Sequence, residues 1–413
     1  MSSEINPDYV KLVLEKRQRL RLVHEKYFPG KFWVLDSCLA VRNILQIEDI
    51  SLPFMLVLLG QPSAGKSTMI SFVDFPEDCY SVDSFTPKAM VSHMANKTED
   101  QLAQIDMLSK IADKVFLTSD LAPIFSVRED NLLEIIGMLT RILDGKGYKK
   151  DSGAHSQRKY DDVFFVWIGA VVEVPRKVWP IIASLGPKIY FLRIDTEISF
   201  EEEQEKILEN LEGISYEQKV TEIKQAVKEY LDVLKEFPGM ENGKIPWNKS
   251  KEDKRIMVRL VQYSQLLARL RGHVPVEYTK GQGGANYGFL PPIIEDANRA
   301  TVALYNLAKG QAVNCARNYI TEDDLPTVKK VVLSSAPKER VELLKLLVEN
   351  NGELTSTKFM EVKKVTRMTA LKTMKQLEIL DLVDEVKIST VTKPCTAIRL
   401  KEHFMWLVEE GIQ

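Results

Sequence analysis

The stretch "LVLLGQPSAGKSTMISF" (residues 56–72) decides the fold, because it combines three features in a fixed order. Residues 53–59, "PFMLVLL", are wholly apolar and predict a strand covered on both faces, as in a parallel sheet. A glycine-containing loop follows, and then a run that suits a helix. The loop matches GxxxxGK[ST], and a strand before it and a helix after it are the context that this motif requires.

This loop has the chemistry of a triphosphate site. Gly60 and Gly65 permit backbone conformations that let successive N–H groups point at phosphate oxygens, and the helix N-terminus adds its positive dipole end. Lys66 is expected to reach the β and γ phosphates, and the Ser67 hydroxyl to ligate Mg²⁺. We therefore predict ATP and Mg²⁺ as cofactors. The predicted nucleotide-binding residues are Gly60, Gln61, Pro62, Ser63, Ala64, Gly65, Lys66, Ser67 and Thr68.

A second acidic site is expected at the end of a neighbouring strand, where a carboxylate completes the magnesium shell. The segment "KVFLTSDLAPIF" (114–125) is the candidate, and it holds one acid, Asp120. If Asp120 is the metal-shell acid, Leu121 stands where a water-orienting glutamate is expected. If it is the water-orienting acid, Ser119 replaces the metal-shell aspartate. Both alternatives predict a slow ATPase, or one completed by a group from elsewhere.

The bulk composition excludes several classes of protein. The chain has 413 residues, of which 45% are hydrophobic and 28% charged, with a formal net charge of −2. The sequence shows neither a membrane span of about 20 apolar residues nor a signal peptide, so we expect a cytoplasmic protein without a membrane partner. The four cysteines are far apart, which argues against structural zinc and a disulfide framework. Any binding of nucleic acid must come from a local basic patch.

From about residue 50 to 330 the order of motifs resembles the AAA+ superfamily, within it the branch of the MCM helicases and related replication ATPases. It also resembles uncharacterised ATP-binding proteins of phages and mobile elements. Residues 132–175 read as a helix, a hairpin and a core strand, and such a hairpin before that strand is typical of this branch. In its helicases the hairpin enters the central channel and touches DNA. The resemblance implies DNA contacts from Lys149, Lys150 and Arg158, and a solvated charged hairpin is the alternative.

The same resemblance assigns two further cations to the nucleotide. In "VWPIIASLGPKIYFLRI" (178–194), Lys188 occupies the position of the arginine finger that reaches the neighbouring subunit's γ-phosphate, with Arg193 as a weaker candidate. Lysine supplies the charge of that finger without its planar fork. Arg299 matches the sensor-2 arginine of the helical lid, with Arg269 and Arg271 on the preceding helix as alternatives, and an ordinary surface cation is the other interpretation of Arg299. A finger that acts in trans implies a homo-oligomer.

We divide the chain into four segments. Residues 1–50 are an N-terminal helical segment, 51–195 the AAA+ α/β core with a parallel sheet, and 196–334 a helical insertion and lid. Within the third segment, residues 197–237 hold 12 acids and 5 lysines and predict an amphipathic helix that is unsuited to DNA, whereas the Gly-rich stretch 277–292 predicts a surface loop.

Residues 335–413 predict three helices followed by two strands, the pattern of a winged-helix domain. Within it, residues 355–375 carry six basic residues against the single acid Glu361. Basic charge on the groove-facing segments is what a DNA reader needs. A protein-docking winged helix is the alternative. The predicted DNA-binding residues of this segment are Lys363, Lys364, Arg367, Lys372 and Lys375.

Together these features predict an AAA+ ATPase that couples ATP hydrolysis to DNA binding or remodelling, in a helicase-like or replication-associated role. A nucleotide-switched DNA-binding regulator with little turnover is the main alternative, and a protein remodeller that holds a client on its acidic helix is another.

Overall fold

The computed structural model describes the chain except residues 1–4, 87–88, 93–97, 153–154, 187, 195–199, 202–203, 206–207, 209–213, 282–283, 390–393 and 413. The strands in the described part are β1 (Phe54–Leu59), β2 (Cys79–Val82), β3 (Val115–Thr118), β4 (Tyr148–Ser152), β5 (His155–Tyr160), β6 (Val166–Val171), β7 (Ile189–Arg193), β8 (Val276–Gly281), β9 (Gly284–Phe289), β10 (Glu353–Thr355), β11 (Val383–Ser389) and β12 (Pro394–Leu400).

The helices that we label in the described part are α1 (Pro7–Tyr27), α2 (Phe32–Asn43), α3 (Lys66–Phe72), α4 (Glu99–Ile105), α5 (Met107–Ile111), α6 (Ala122–Phe125), α7 (Glu129–Ile142), α8 (Val178–Leu185), α9 (Tyr216–Leu234), α10 (Lys254–Arg271), α11 (Ala297–Asn314), α12 (Leu325–Ser334), α13 (Lys338–Glu349), α14 (Ser356–Lys363), α15 (Arg367–Ile379) and α16 (Trp406–Glu410). None of the helices in this part combines the length and the apolar composition that a membrane span needs.

The chain forms two compact units, each assembled from three stretches of sequence. The first unit comprises residues 1–175, 188–260 and 302–331, and the second comprises 176–187, 261–301 and 332–413.

The first unit is built around a five-stranded parallel sheet in the order β2-β3-β6-β1-β7. Every residue of β1 and of β6 is buried. Because a central parallel strand is covered on both faces, it must be apolar throughout, which is why these runs lack the alternation of a half-exposed strand. The chain therefore has a mixed α/β fold with a parallel sheet, as the sequence predicts.

A polar cluster ties α1, α2 and α11 together beside this sheet. Asp36 accepts hydrogen bonds from Arg17 Nη2 and Gln311 Nε2, both at 2.7 Å. Asn314 Nδ2 donates to the Asp36 carbonyl at 2.9 Å, and Tyr230 of α9 donates to the Asn314 carbonyl at 3.0 Å. Buried polar groups need such partners, so this cluster fixes which helices pack together.

Helix α9 confirms the amphipathic pattern expected in the acidic stretch. Its buried residues include Ile223, Val227, Tyr230 and Leu234. It packs against α1, where Lys16 and Arg19 approach Glu229 at 3.0 and 2.7 Å. The helix N-terminus is capped, and the apolar stripe of the helix is buried, which accounts for the position of α9.

The second unit contains a three-stranded sheet, β10-β12-β11, with antiparallel pairs. In chain order, its C-terminal part runs α13, β10, α14, α15, β11 and β12. Strands β8 and β9 form an antiparallel hairpin over part of the Gly-rich stretch, so the prediction of a surface loop was wrong there. Strand pairing uses backbone groups, which glycine retains, and side-chain periodicity does not reveal it.

Buried His24 gives the first unit a pH-sensitive point. Its ring packs against Phe28, Phe32 and Phe72, with centroids 5.7, 5.8 and 5.9 Å away. Neither ring nitrogen has a hydrogen-bond partner in the described part of the chain. Burial lowers the pKa of His24 from 6.5 to about 4, because a charged imidazolium is poorly solvated there.

We expect His24 to destabilise the fold as the pH falls from about 6.5 towards 4, because the unfolded chain binds the proton more readily in that window. The loss approaches roughly 3 kcal/mol, the free energy that corresponds to the pKa difference. Urea unfolding at pH 7.0, 5.5 and 4.5 measures it. A His24→Phe variant keeps the aromatic packing without the titration, so its stability falls less. Parallel pH profiles for the two proteins would contradict this assignment.

Candidate phosphate-binding site

The GxxxxGK[ST] loop leaves the carboxyl end of β1 and enters α3 through strained backbone. Ser63 and Gly65 have φ of 64° and 88°. A Cβ atom on Gly60 would lie 3.2 Å from both Ala64 Cβ and the Ile194 carbonyl oxygen. A side chain at the first position of the loop would therefore be tight and would require its neighbours to shift, and the loop is held as a compact turn at the edge of the sheet.

Lys66 folds back over this turn. Its Nζ donates to the carbonyl oxygens of Gly60 and Gln61, each at 2.7 Å. Partial burial lowers the pKa of the Lys66 ammonium, and the Asp120 carboxylate opposes that shift. The Lys66 ammonium therefore lies against the loop. A bound phosphate would compete for it with the two loop carbonyls and with the Asp120 carboxylate.

Asp120 follows β3 at the same edge of the sheet, since the carboxyl ends of parallel strands meet there. Its Oδ1 accepts from Ala122 N, two residues on, at 2.8 Å, which holds the carboxylate in a local turn before α6. Its own N–H donates to the Asp83 carbonyl oxygen at 3.3 Å. Asp83 directly follows β2, so two aspartates terminate adjacent strands. The sequence analysis identified Asp120 and missed Asp83, although a carboxylate immediately after a strand is the same signal.

Two residues from outside the motif hold the loop. Lys31, in the turn between α1 and α2, donates to the Ala64 carbonyl oxygen at 3.0 Å. The hydroxyls of Thr68 and Tyr216 lie 2.5 Å apart, and Tyr216 is the first residue of α9. The sequence analysis assigned a role to neither residue. A contact between positions 148 residues apart leaves no local signal in a single sequence.

The remaining loop residues are open to solvent or half-buried. Gln61, Pro62, Ser63 and Ser67 are exposed. The Ser67 hydroxyl and the Asp120 carboxylate, both accessible, are the oxygen ligands that a magnesium ion shared with a phosphate would use. No group of three or more His, Cys, Asp or Glu residues in the described ranges could hold a metal ion unaided.

The cations of the predicted DNA-contacting hairpin lie on β4 and β5. The register places Lys149 opposite Lys159 and Lys150 opposite Arg158. Lys149 is exposed, and Lys159 pairs with Asp161 at 2.5 Å. The side chains of Lys150 and Arg158 lie outside the described part of the structure.

The two cations assigned to the nucleotide by resemblance have different surroundings. Lys188 Nζ lies 2.9 Å from Asp144 Oδ1, and both side chains are largely buried, at 11% and 16% exposure. Arg193 is the half-buried last residue of β7. Arg299 is half-buried in the first turn of α11 and belongs to the second unit. Its sensor-2 role stays a prediction, as does the finger role of Lys188.

The basic residues of the C-terminal segment fall into two groups. Lys363 approaches Glu342 at 3.2 Å, and Lys375 approaches Glu378 at 2.7 Å, so both cations have carboxylate partners. Lys364 and Arg367 are exposed at the junction of α14 and α15, while Lys372 is half-buried. The exposed charge is concentrated at the N-terminal end of α15, beside Met368, which is 68% exposed.

Comparison with known proteins adds little to this geometry. No family model matches the sequence, and a search of curated proteins finds no match. Among solved structures, a proposed ATPase from Cytophaga hutchinsonii matches with 12% identity and a TM-score of 0.42, over 89% of this chain and 96% of its own. At that score the likeness carries no functional argument, so the inference rests on the site itself.

We expect the Lys188–Asp144 pair to stabilise the first unit. Replacing Lys188 by Met or Asp144 by Asn removes the attraction within this largely buried pair, at a cost of about 1–3 kcal/mol after allowing for residual solvent exposure and for Arg141, which lies 3.8 Å from Asp144. Urea unfolding of the two single variants and the double variant gives the coupling free energy, expected to be about 1 kcal/mol or more. A coupling near zero would mean that Lys188 is available for another role.

Proposed function

We propose that this protein is an AAA+ type P-loop ATPase that works as a homo-oligomer and couples ATP binding and hydrolysis to the binding or remodelling of DNA. The observation that carries the proposal is the compact loop from Gly60 to Thr68 at the carboxyl edge of a buried parallel strand, with Lys66 folded back onto the loop carbonyls and Asp120 at the end of a neighbouring strand. The GxxxxGK[ST] motif, its position at the carboxyl end of β1 and the positive charge of Lys66 all support a polyphosphate ligand.

The residues present fit Mg²⁺–ATP. Backbone N–H groups of the loop and the Lys66 ammonium would hold the phosphates, displacing the lysine from the Gly60 and Gln61 carbonyls. Ser67 and Asp120 would hold the magnesium ion. When bound, that ion supplies charge neutralisation at the phosphates. Asp120 keeps its carboxylate orientation through the hydrogen bond from Ala122 N, so it is preorganised for this task.

The hairpin supports a nucleic-acid partner. Lys149 on β4 is exposed, and the register places it opposite Lys159 of β5. An exposed cation there suits a phosphate backbone, and such a contact requires no reading of bases.

The C-terminal part of the second unit supports the same partner. Its order of α13, β10, α14, α15, β11 and β12 is compatible with the proposed winged helix, in which α15 would be the groove-reading helix. The exposed Lys364 and Arg367 stand at the entry to that helix, where backbone phosphates would be met first.

A specific observation favours a second candidate, a nucleotide switch with little turnover. Lys188, the residue at the finger position, is engaged by Asp144 of its own chain, and β3 ends in only one acid. In such a switch, ATP would set assembly and the winged helix would find its DNA site. Turnover rate, rather than binding, separates the switch from a motor.

We expect the wild-type protein to bind ATP and to hydrolyse it with Mg²⁺, because Lys66 and Asp120 face one cradle. Lys66→Ala should lose most ATP affinity. Asp120→Asn keeps the shape and loses the charge, so hydrolysis should fall about 100-fold while ATP still binds.

Calorimetry with ATP, and phosphate release with and without Mg²⁺, measure these effects. Lys11→Ala removes an exposed lysine on α1 and is the matched control. Absence of ATP binding by the wild type would contradict the proposal, whereas binding without turnover would select the switch.

We expect DNA affinity to fall with salt and to be reduced by charge reversal at Lys149 or Arg367 in the full-length chain. Each lost phosphate contact should lower the slope of log K against log salt by about 1. Fluorescence anisotropy with single- and double-stranded DNA at several salt concentrations measures this, and Lys11→Glu controls for net charge. If only Arg367→Glu lost DNA affinity, the result would favour the DNA-binding regulator. If the wild type bound neither single- nor double-stranded DNA, the proposed DNA role would be refuted and only the proposed ATPase activity would remain.

A further inference from the structure

We propose that Tyr216 contacts the bound nucleotide and that its ring stacks on the base, which gives the site its preference for a purine nucleotide. This inference rests on the proposed function of the loop and adds a residue from outside the motif. The sequence motif accounts for the phosphates alone and leaves the nucleoside end without an assigned partner.

The contact that places Tyr216 is direct. Its hydroxyl lies 2.5 Å from Thr68 Oγ1, at the end of the GxxxxGK[ST] loop. Thr68 follows Lys66 and Ser67, which face the phosphates and the metal ion. A ligand that fills the loop with its phosphates has to pass its sugar and base out over the rim, and Tyr216 stands at that rim.

The position of Tyr216 is fixed by a rigid element. It is the first residue of the 19-residue helix α9, whose N-terminus carries a capping box formed by Ser215 and Gln218. Farther along the helix, Glu229 pairs with Lys16 and Arg19 of α1. A side chain held by a capped and packed helix pays little entropy when it contacts a ligand, so the ring is preorganised.

The ring itself is available. Tyr216 is 58% exposed, while Thr68 already occupies its hydroxyl. What it presents to solvent is therefore an aromatic face, and a base stacks on such a face without requiring specific hydrogen bonds. A purine offers a larger surface than a pyrimidine, from which the purine preference follows.

Comparing ATP with inorganic tripolyphosphate separates the base from the phosphates. By calorimetry with Mg²⁺, we expect Tyr216→Ala and Tyr216→Leu to weaken ATP binding about 5- to 150-fold, the range of one base–aromatic stack. Tripolyphosphate affinity should stay within about twofold. Tyr216→Phe keeps the ring and should bind ATP nearly as the wild type does. ATP and GTP should bind more tightly than CTP in the wild type, and this difference should shrink in the leucine variant.

Tyr27→Ala is the matched control, because Tyr27 also contacts α9, donating to Glu222 at 2.5 Å, and does not touch the loop. It should leave the affinity for ATP unchanged. Equal weakening of ATP and tripolyphosphate in Tyr216→Ala would overturn the proposal by showing that Tyr216 only supports the loop, and unchanged ATP affinity would also overturn it. If the wild type bound tripolyphosphate and ATP equally, the base contact would be refuted while the phosphate site stood. A wild type that bound neither ligand would refute the proposed function itself.

Discussion

The constraint on which the first unit depends is the confinement of β1 between β6 and β7, in parallel register on both sides. A strand buried on both faces cannot shift without breaking two hydrogen-bond ladders and exposing apolar side chains. The loop that leaves its carboxyl end is therefore fixed in space. The carboxylates that terminate β2 and β3 are brought to the same edge by the same constraint, so the chemistry of the site is a consequence of sheet topology.

Around this edge, the flanking helices hold the loop at two points outside the motif. Lys31 binds the Ala64 carbonyl, and Tyr216 binds Thr68. Both residues are anchored through α1, α2 and α9, which the buried Asp36 cluster ties to α11. A ligand that moves the loop therefore acts on a connected helical layer.

The charged residues of the first unit are compatible with either of the two proposed functions, an ATPase or a nucleotide switch. Lys66 and Asp120 would provide the charges that the proposed nucleotide binding needs, whereas Lys188 pairs with Asp144 of its own chain. A cation that must leave a largely buried ion pair before it can serve a neighbouring subunit carries a free-energy cost. In the proposed oligomer, assembly would have to supply that free energy.

The sequence by itself determined β1, the loop and α3, because a doubly buried strand, two glycines and a lysine leave a local pattern that few other structures satisfy. It also indicated α9 and Asp120 through periodicity and strand-end position. Only the tertiary structure decided that Lys188 meets Asp144, that Tyr216 meets Thr68, and that the Gly-rich stretch pairs as β8 and β9. The physical reason is range: periodicity and capping are set by neighbours along the chain, whereas these contacts join residues that only the packing of separate elements brings together.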